Sequence, residues 1–595
     1  MGLNSDPIQL GRPAPADPRA LLNERLLWLG ALALVLLCAT VFREVPGFGL
    51  LAFDDDINIS LNPHLGSIGS GSVAWAFTDM SYVRRYVPLG WLTLLMVHGA
   101  SGLSPAGYHA ASLTLHTLNA LAVFWIGTRL LAEALPSADR RRVIGAAWVG
   151  AAWWAVHPLR VELAAWASGV LNLQGDFFLL VSFAACLEGA GVLCLVAYGL
   201  SLLSYPTGIG YVGALVALDA YRNWEGLSSL EKWLTLVARR GAWLALSVLG
   251  GGLALLAQGT ASGIWTTALQ PALGAGARIV QVAESLLITS SRIIVPSGLS
   301  PIYDTFVDFH PGALAVAGAL AAILMVITAL VLLCHGRNRG LLCLCLAFLS
   351  LVLPYLGWGS TLHSPSDRYA ELASVVVAVG LGWAVAVSGR MLTAAALAVI
   401  AALGVASARL APVWRGDLEL LRRAESVMTH PEARAEIELR IGKVLFLRGD
   451  FGEAERISRS AMATLGMPAT AEPLYGANGA RDYAEAAPLA VQHNGLGVAM
   501  ARSGDLRSAE QHFRAALEVS PDFPKANVNL ALLLLSEGKA DEPLHCYLTV
   551  ALAPQGSVDP HALRAMILRL ADAYRLRGRQ DLAEALAQRA ARLPG

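Results

Sequence analysis

The residues most suited to chemistry are three consecutive carboxylates, Asp54, Asp55 and Asp56, which directly follow the first long apolar segment. They stand between the apolar residues Phe53 and Ile57 just after that segment, so we expect them to lie close to a membrane surface. Partial burial there raises a carboxylate pKa toward neutrality and suits the group to act as a general base. Two adjacent carboxylates can also hold a divalent cation. We predict that Asp54 and Asp55 are catalytic, with a solvated loop as the alternative.

Two further groups follow in the same part of the chain. Arg84, Arg85 and Tyr86 are consecutive, and a guanidinium fork suits a phosphate group, although such arginines also anchor lipid headgroups. His109 and His116 are seven residues apart and lie on one helix face, where a histidine is also often only hydrogen-bonded inside a helix bundle. We predict that Arg85, Tyr86 and His109 contact a substrate or its carrier.

Two later motifs complete the set of candidate residues. In the run His-Pro-Leu-Arg-Val-Glu, proline ends a helix and leaves His157 at its end, with Arg160 and Glu162 beyond it. Their spacing is not the i, i+4 spacing of a zinc helix, so we interpret them as groups that line a site. Asp367 and Arg368 form the last motif. We predict that the residues of both motifs contact a substrate or its carrier, with a plain helix end as the alternative for the Asp-Arg pair.

The low content of charged residues indicates a membrane protein. The chain has 595 residues, of which 55% are hydrophobic and only 15% charged, whereas soluble proteins carry about 25% charged residues. A large part must therefore face lipid. The formal net charge of zero gives no support for nucleic-acid binding. Six of the seven cysteines lie in or beside apolar segments, so no disulfide framework is implied.

Apolar runs divide the first two thirds of the chain into about eleven predicted spans, with an additional helix near 278–295 that can lie along the membrane interface. The predicted spans are 27–41, 108–131, 143–157, 171–187, 192–205, 208–220, 242–258, 312–334, 341–358, 372–388 and 391–410. We assign residues 1–26 to a cytoplasmic segment and 27–410 to an all-α membrane domain with a large outer loop at 44–107.

Arginine placement orients these spans. Basic residues precede the first span and then recur in alternate loops, at 140–142, 222–240, 337–339 and 390. By the positive-inside bias these loops are cytoplasmic, so the acidic motif and the other candidate site residues share the opposite face. An odd number of spans also places residues 411–595 outside the cytoplasm.

The tail, 411–595, is charged and helical in its periodicity, and it contains an internal repeat. A unit at 492–525 has the 34-residue tetratricopeptide spacing, with weaker copies starting near 441, 530 and 570. Its defining residues are Leu496, Gly497, Met500, Ala509, Phe513, Ala516 and Pro521. A short solenoid of this kind predicts a binding surface for a peptide or protein partner.

Several motifs, taken in order, resemble those of one family, the bacterial relatives of the transmembrane and tetratricopeptide-repeat O-mannosyltransferases, which are GT-C glycosyltransferases. The motifs are Phe53-Asp54-Asp55 with Asn58 and Asn62-Pro63, Tyr86-Val87-Pro88-Leu89, Gly107-Tyr108-His109 with His116 and Asn119, His157-Pro158-Leu159-Arg160-Val161-Glu162 with Ala165-Trp166, and Asp367-Arg368-Tyr369. The resemblance implies a polyprenyl-phosphate-linked sugar as donor and a protein or glycan hydroxyl as acceptor.

The chain departs from that family where basic residues are usual. It has Gly169-Val170-Leu171-Asn172 in place of a charged run, and Ser204-Tyr205-Pro206 in place of Ser-Lys-Pro. Those cations are natural partners of a carrier phosphate. Either other arginines replace them, or the protein is an inactive membrane scaffold that recruits envelope proteins through its repeats. A transporter is a weaker alternative, because no paired, interrupted half-helices with internal symmetry are visible.

The expected setting is a bacterial inner membrane with the repeats in the periplasm. The expected partners are a membrane lipid carrier and a protein or peptide, without nucleic acid. A divalent cation is an open possibility, with Asp54 and Asp55 as its ligands.

Overall fold

The computed structural model describes residues 24–60, 62–226, 229–260, 274–305, 309–335, 339–357, 365–448, 483–520, 523–536 and 580–591, with short pieces between 450 and 464 and between 564 and 578. Helices make up 83% of the structure, and the described residues contain no strand. The predicted all-α class is therefore confirmed. The N-terminal segment before residue 24 lies outside the described residues.

The described residues up to Arg423 form one compact unit, and those from Ala424 onward form a second. The helices of the first unit are α1 (Glu24–Val41), α2 (Ser70–Thr78), α3 (Pro88–Ser101), α4 (Pro105–Ala134), α5 (Arg140–Ala155), α6 (Val161–Ala165), α7 (Val170–Leu187), α8 (Gly191–Ser204), α9 (Tyr211–Arg222), α10 (Leu230–Ala238), α11 (Gly241–Thr260), α12 (Ala275–Ile294), α13 (Ala313–His335), α14 (Arg339–Val352), α15 (Glu371–Val387) and α16 (Arg390–Leu410), followed by α17 (Asp417–Val427), which runs into the second unit.

Each of the eleven predicted spans coincides with one of these helices. Among the described residues, six helical segments are long and apolar enough to cross a membrane, or seven if α10 and α11, which meet at a bend of 66°, count as one span. These helices indicate a membrane protein. Helices α8 and α14 are apolar but shorter, so the predicted number of eleven spans stays a prediction.

The site is supported by close packing of α4, α5 and α15. Gly150 on α5 lies against α15, where a Cβ atom would stand 2.3 Å from the carbonyl oxygen of Ala378. Only glycine allows this approach, since real Cβ atoms do not come within 3.0 Å of a backbone atom. The helix that begins at Glu371 is thereby held against the helix that precedes His157.

The predicted outer loop, 44–107, is mostly structured. It contains a π-helical turn, Asp56–Ser60, and the helices α2 and α3. Single π-helical turns are rare and frequent at functional sites. The buried residues Trp91 and Leu94 of α3 pack with Ile59, so the acidic motif sits on a packed base.

The first compact unit ends at Arg423, whereas the sequence predicted a membrane domain that ends at 410. The chain after α16 does not leave the membrane domain at once. Trp414 is buried and packs against Phe53 and Trp166. The Asp417 carboxylate accepts a hydrogen bond from the Ala52 backbone N–H at 2.6 Å. This segment therefore braces the residues that lead into the acidic motif.

One disulfide was not expected from the sequence. Cys186 and Cys194 are bonded, with their Cα atoms 5.3 Å apart. They occupy the end of α7 and the start of α8, which a three-residue turn at 188–190 brings together. No sequence pattern indicated this pair, because the helix hairpin, and not the apolar composition, decides the distance.

The second unit contains α18 (Pro431–Arg448), α19 (Tyr483–Ser503), α20 (Leu506–Val519), α21 (Pro524–Ser536) and α22 (Gln580–Ala591). Helices α19 and α20 meet at Gly504, which has a φ of +86°, a conformation that glycine adopts readily. A Cβ atom at Gly497 would lie 2.6 Å from the ring of Phe513, and Ala509 is fully buried. The helix pair of the predicted repeat at 492–525 therefore packs at the predicted small residues, while the copy that starts near 530 lies largely outside the described residues.

Candidate functional site

Asp54 is the accessible member of the acidic motif. Its side chain is 27% exposed and pairs with Arg85, with 2.9 Å between Oδ2 and Nη2. Its φ of +67° is uncommon for a residue other than glycine, and aspartate is one of the few that tolerate it. Such backbone conformations cost roughly 1–3 kcal/mol and cluster at functional sites. The turn thus presents one carboxylate outward at an energetic cost.

Asp55 has a different environment. It is fully buried, and its Oδ1 accepts hydrogen bonds from the Ser168 backbone N–H at 2.8 Å and the Ser168 hydroxyl at 2.5 Å. Its Oδ2 accepts from the Leu51 backbone N–H at 3.0 Å. Burial raises the pKa of Asp55 to about 7, although these hydrogen bonds act in the opposite direction. Asp55 therefore anchors the turn, and Asp54 is the carboxylate that a reactant can reach.

The contacts of the two carboxylates disfavour a divalent cation, which the sequence had left open. Both oxygens of Asp55 already accept hydrogen bonds from protein donors, and Asp54 faces a guanidinium group. A shared cation would have to displace these contacts. Within the described ranges, no group of three or more His, Cys, Asp or Glu side chains is arranged to hold a metal ion.

A second ion pair joins the two later motifs. The Nη1 atom of Arg368 lies 2.6 Å from Oε1 of Glu162, and both side chains are largely buried. The Arg368 guanidinium also lies over the rings of Trp166 and Tyr369, at 5.8 and 5.2 Å. Trp166 donates its indole N–H to the Phe53 carbonyl at 3.0 Å. This contact ties the second ion pair to the acidic motif.

The two ion pairs are neighbours. Arg85 lies within electrostatic range of Arg368, and Tyr205 is close to both guanidinium groups. Tyr205 belongs to the Ser204-Tyr205-Pro206 motif. The Tyr369 ring stacks on Tyr355, with centroids 4.8 Å apart and 8° between the planes. The site therefore combines two guanidinium groups, two carboxylates and a wall of tyrosines.

Arg160 was predicted to bind substrate or carrier, but in the structure it belongs to a separate, buried ion pair. Its side chain is fully buried, lies 3.3 Å from Glu371 and stands over the ring of Trp154 at 5.0 Å. His157 is also buried: its Nε2 lies 3.1 Å from the Ile293 carbonyl, and its Nδ1 accepts from the Leu159 backbone N–H. Both side chains are thus enclosed by protein, as are the residues of the short turns that follow His157.

The remaining predicted residues make contacts of their own outside the two ion pairs. His109 is fully buried, with its Nε2 atom 3.3 Å from the Gly49 carbonyl. Tyr86 donates its hydroxyl to the Phe77 carbonyl at 3.1 Å. Asp367 accepts from Arg292 at 3.0 Å and from the Tyr303 hydroxyl at 2.6 Å. The Arg84 side chain lies outside the described part of the chain.

Comparisons of this chain with protein-family models, with curated proteins and with solved structures found no match. The site is therefore interpreted from its own geometry.

Proposed function

We propose that this protein is an integral membrane glycosyltransferase of the GT-C type, which transfers a sugar from a polyprenyl-phosphate carrier to a hydroxyl acceptor on the periplasmic face. The observation that carries the proposal is the arrangement of Asp54: an outward-facing carboxylate in a strained turn, paired with one guanidinium group and beside a second. This arrangement offers a base for the acceptor and positive charge for a leaving phosphate.

In the proposed reaction, the carboxylate of Asp54 takes the proton of the acceptor hydroxyl. The acceptor oxygen forms a bond to the anomeric carbon as the bond from that carbon to the carrier phosphate oxygen breaks. Configuration inverts in this single displacement. The phosphate leaves with increased negative charge, which Arg85 and Arg368 can neutralise with charge-assisted hydrogen bonds.

The Arg85–Asp54 ion pair gives the order of events a physical basis. A carboxylate held by a guanidinium group is a weaker base than a free one. A carrier phosphate that draws Arg85 toward itself would loosen this pair and leave Asp54 available to the acceptor. Donor binding would thus prepare the base, and acceptor deprotonation without donor would be disfavoured.

The inactive scaffold remains the second proposal, and one observation favours it. Each guanidinium group already has a carboxylate partner, Asp54 for Arg85 and Glu162 for Arg368. Tyr205 supplies a phenol near them in place of a lysine. Without an additional cation, a phosphate must compete with two existing ion pairs.

Reconstituted protein can distinguish the two proposals. The assay follows labelled sugar from a panel of polyprenyl-phosphate donors into peptide and glycan acceptors. We expect Asp54→Asn to reduce transfer by ~10²–10⁴-fold, a typical loss for a general base. Asparagine tolerates the positive φ, so the turn should persist.

Asp56→Asn is the matched control, because Asp56 is the adjacent carboxylate in the sequence. In the structure, its Oδ1 accepts a local hydrogen bond from the Ile57 backbone N–H at 2.9 Å. It should retain most activity. Equal losses in both variants would contradict the assignment of Asp54. Binding of envelope proteins by wild type without turnover of any donor would favour the scaffold.

A further inference from the structure

The segments that carry Glu162 and Arg368 also carry a buried group of charges that the proposed reaction does not use. Its centre is the ion pair of Arg160 and Glu371, whose side chains are 0% and 2% exposed. The Nη1 and Oε2 atoms are 3.3 Å apart, and the guanidinium plane stands over Trp154. A buried pair of this type is costly unless its remaining donors and acceptors are satisfied.

A second carboxylate joins this pair. Asp176 on α7 is 2% exposed and accepts a hydrogen bond from the Thr207 hydroxyl at 2.9 Å. It lies within electrostatic range of both Arg160 and Glu371. If all three groups were ionised, two negative charges and one positive charge would give the cluster a net charge of −1. An uncompensated buried charge is strongly disfavoured.

The hydrogen-bonding state of the pair points to a ligand. Both carboxylate oxygens of Glu371 and the Nε, Nη1 and Nη2 atoms of Arg160 are buried without a hydrogen-bond partner in the structure. Buried polar atoms are nearly always satisfied, and exceptions mark ordered water, ions or functional groups. The two side chains therefore lie close together, but no direct hydrogen bond joins them.

The surrounding titratable groups do not compensate the excess charge. Asp367 is within range of Arg160 but has its own partners, Arg292 and Tyr303. Tyr355 lies near Asp176 and is neutral as a phenol.

Two histidines also face Arg160. The Nε2 atoms of His116 and His157 lie 3.0 and 3.1 Å from backbone carbonyls, the contacts of an N–H donor. A charge on either ring would stand beside the guanidinium group. Protonation of a carboxyl group is therefore the favoured route to a neutral cluster.

We propose that Arg160, Glu371 and Asp176 form an internal proton-binding site, in which one proton is held by the two carboxyl groups and water completes their hydrogen bonds. The ligand is a proton and not a metal cation, since the guanidinium group already supplies positive charge beside the carboxylates. This inference stands on the buried cluster and does not depend on sugar transfer.

The cluster and the candidate site share two segments of the chain. The segment that carries Arg160 carries Glu162 two residues later, and the segment that carries Arg368 carries Glu371 three residues later. Two ion pairs, 160–371 and 162–368, thus join the same two segments. Loss of the proton would place a second negative charge next to Glu371 and weaken the Arg160–Glu371 pair. Because Arg368 lies three residues before Glu371, its position would then be less constrained.

Infrared spectroscopy of the reconstituted protein tests the site. At about pH 9, Asp55, whose pKa is about 7, is ionised and gives no signal of a protonated acid. We expect wild type to retain a carbonyl band of a protonated carboxylic acid at this pH. Asp176→Asn and Glu371→Gln should each abolish the band, because either change leaves one carboxylate opposite Arg160. Asp219→Asn is the control, since Asp219 pairs with Arg240 outside the cluster, and should preserve the band.

Each other outcome overturns the proposal. Absence of the band in wild type would show that no proton is held, and persistence of the band in both variants would assign the proton elsewhere. A band that appears only when sodium and potassium are removed would identify a metal cation as the ligand. Should Glu371→Gln fail to fold, Asp176→Asn alone decides, since it keeps the Arg160–Glu371 pair intact.

Discussion

Replacement of Asp55 by asparagine should change the pH dependence of stability in a direction that the structure fixes. Burial raises the pKa of Asp55 from 3.8 to about 7. The folded protein therefore holds this proton more tightly than the unfolded chain, and stability is greatest below about pH 4 and falls as pH rises to about 7. Asparagine does not titrate, so the variant should lack this contribution.

The magnitude follows from the two pKa values. A difference of about 3 pKa units corresponds to about 4 kcal/mol at 1.36 kcal/mol per unit. Between about pH 5 and about pH 8, the loss in wild type should be about 2–3 kcal/mol. Asparagine can accept only with its oxygen, so one of the N–H groups of Leu51 and Ser168 loses its acceptor. This adds a pH-independent cost of about 1–3 kcal/mol.

The assay is thermal unfolding in a constant detergent, measured at several pH values for wild type, Asp55→Asn and the control Asp56→Asn. The difference between wild type and Asp55→Asn should be largest at acid pH and should shrink as pH approaches 8. Asp56→Asn should follow wild type. A gap between wild type and Asp55→Asn that is the same at all pH values would refute the description of Asp55 as a buried, proton-binding anchor.

Three further predictions concern packing and topology. Gly150→Ala should force α5 away from α15 and lower the free energy of unfolding by ~1–3 kcal/mol. The control Gly145→Ala lies on the same helix, where the added Cβ meets no atom within 4 Å, and it should be neutral or stabilising. Thermal unfolding of both variants tests this, and equal effects would contradict it. Ala509→Leu should overpack the core of the second unit and lower its free energy of unfolding by ~1–3 kcal/mol. The second unit should become more sensitive to protease, while the membrane domain keeps its unfolding temperature. Unchanged proteolysis would contradict the described packing of Ala509. A reporter that is active only in the cytoplasm should be silent when fused at Gly595, and activity there would reverse the predicted topology.

The fold was largely accessible from the sequence because lipid imposes a simple pattern. Every predicted apolar run became a helix, since backbone groups in a membrane must bond within their own segment. The number of spans was less accessible, because helices such as α8 are short, and composition does not state how such a helix is placed. The contacts of Trp414 and Asp417 with distant residues were not accessible either, because no local pattern specifies them.

The site was accessible in part, for an equally physical reason. Local motifs identified Asp54, Arg85, Glu162 and Arg368, which the structure brings together as two ion pairs. They did not separate Asp54 from Asp55, because the hydrogen bonds from Ser168 come from a segment 113 residues away. The role of Glu371 was also missed, although a carboxylate at the start of an apolar helix is a usable signal.

The double connection between the segments around Arg160 and Arg368 has a consequence for biogenesis. Glu162 and Arg368 are 206 residues apart in the chain, and neither can find its partner until the later helices have been synthesised and inserted. Until then the ribosome-bound chain carries Arg160 and Glu162 without their counter-charges. We expect the nascent protein to need shielding from lipid at this stage, by the insertion machinery or a membrane chaperone, and a chain truncated before residue 367 to be recognised by membrane quality control and degraded.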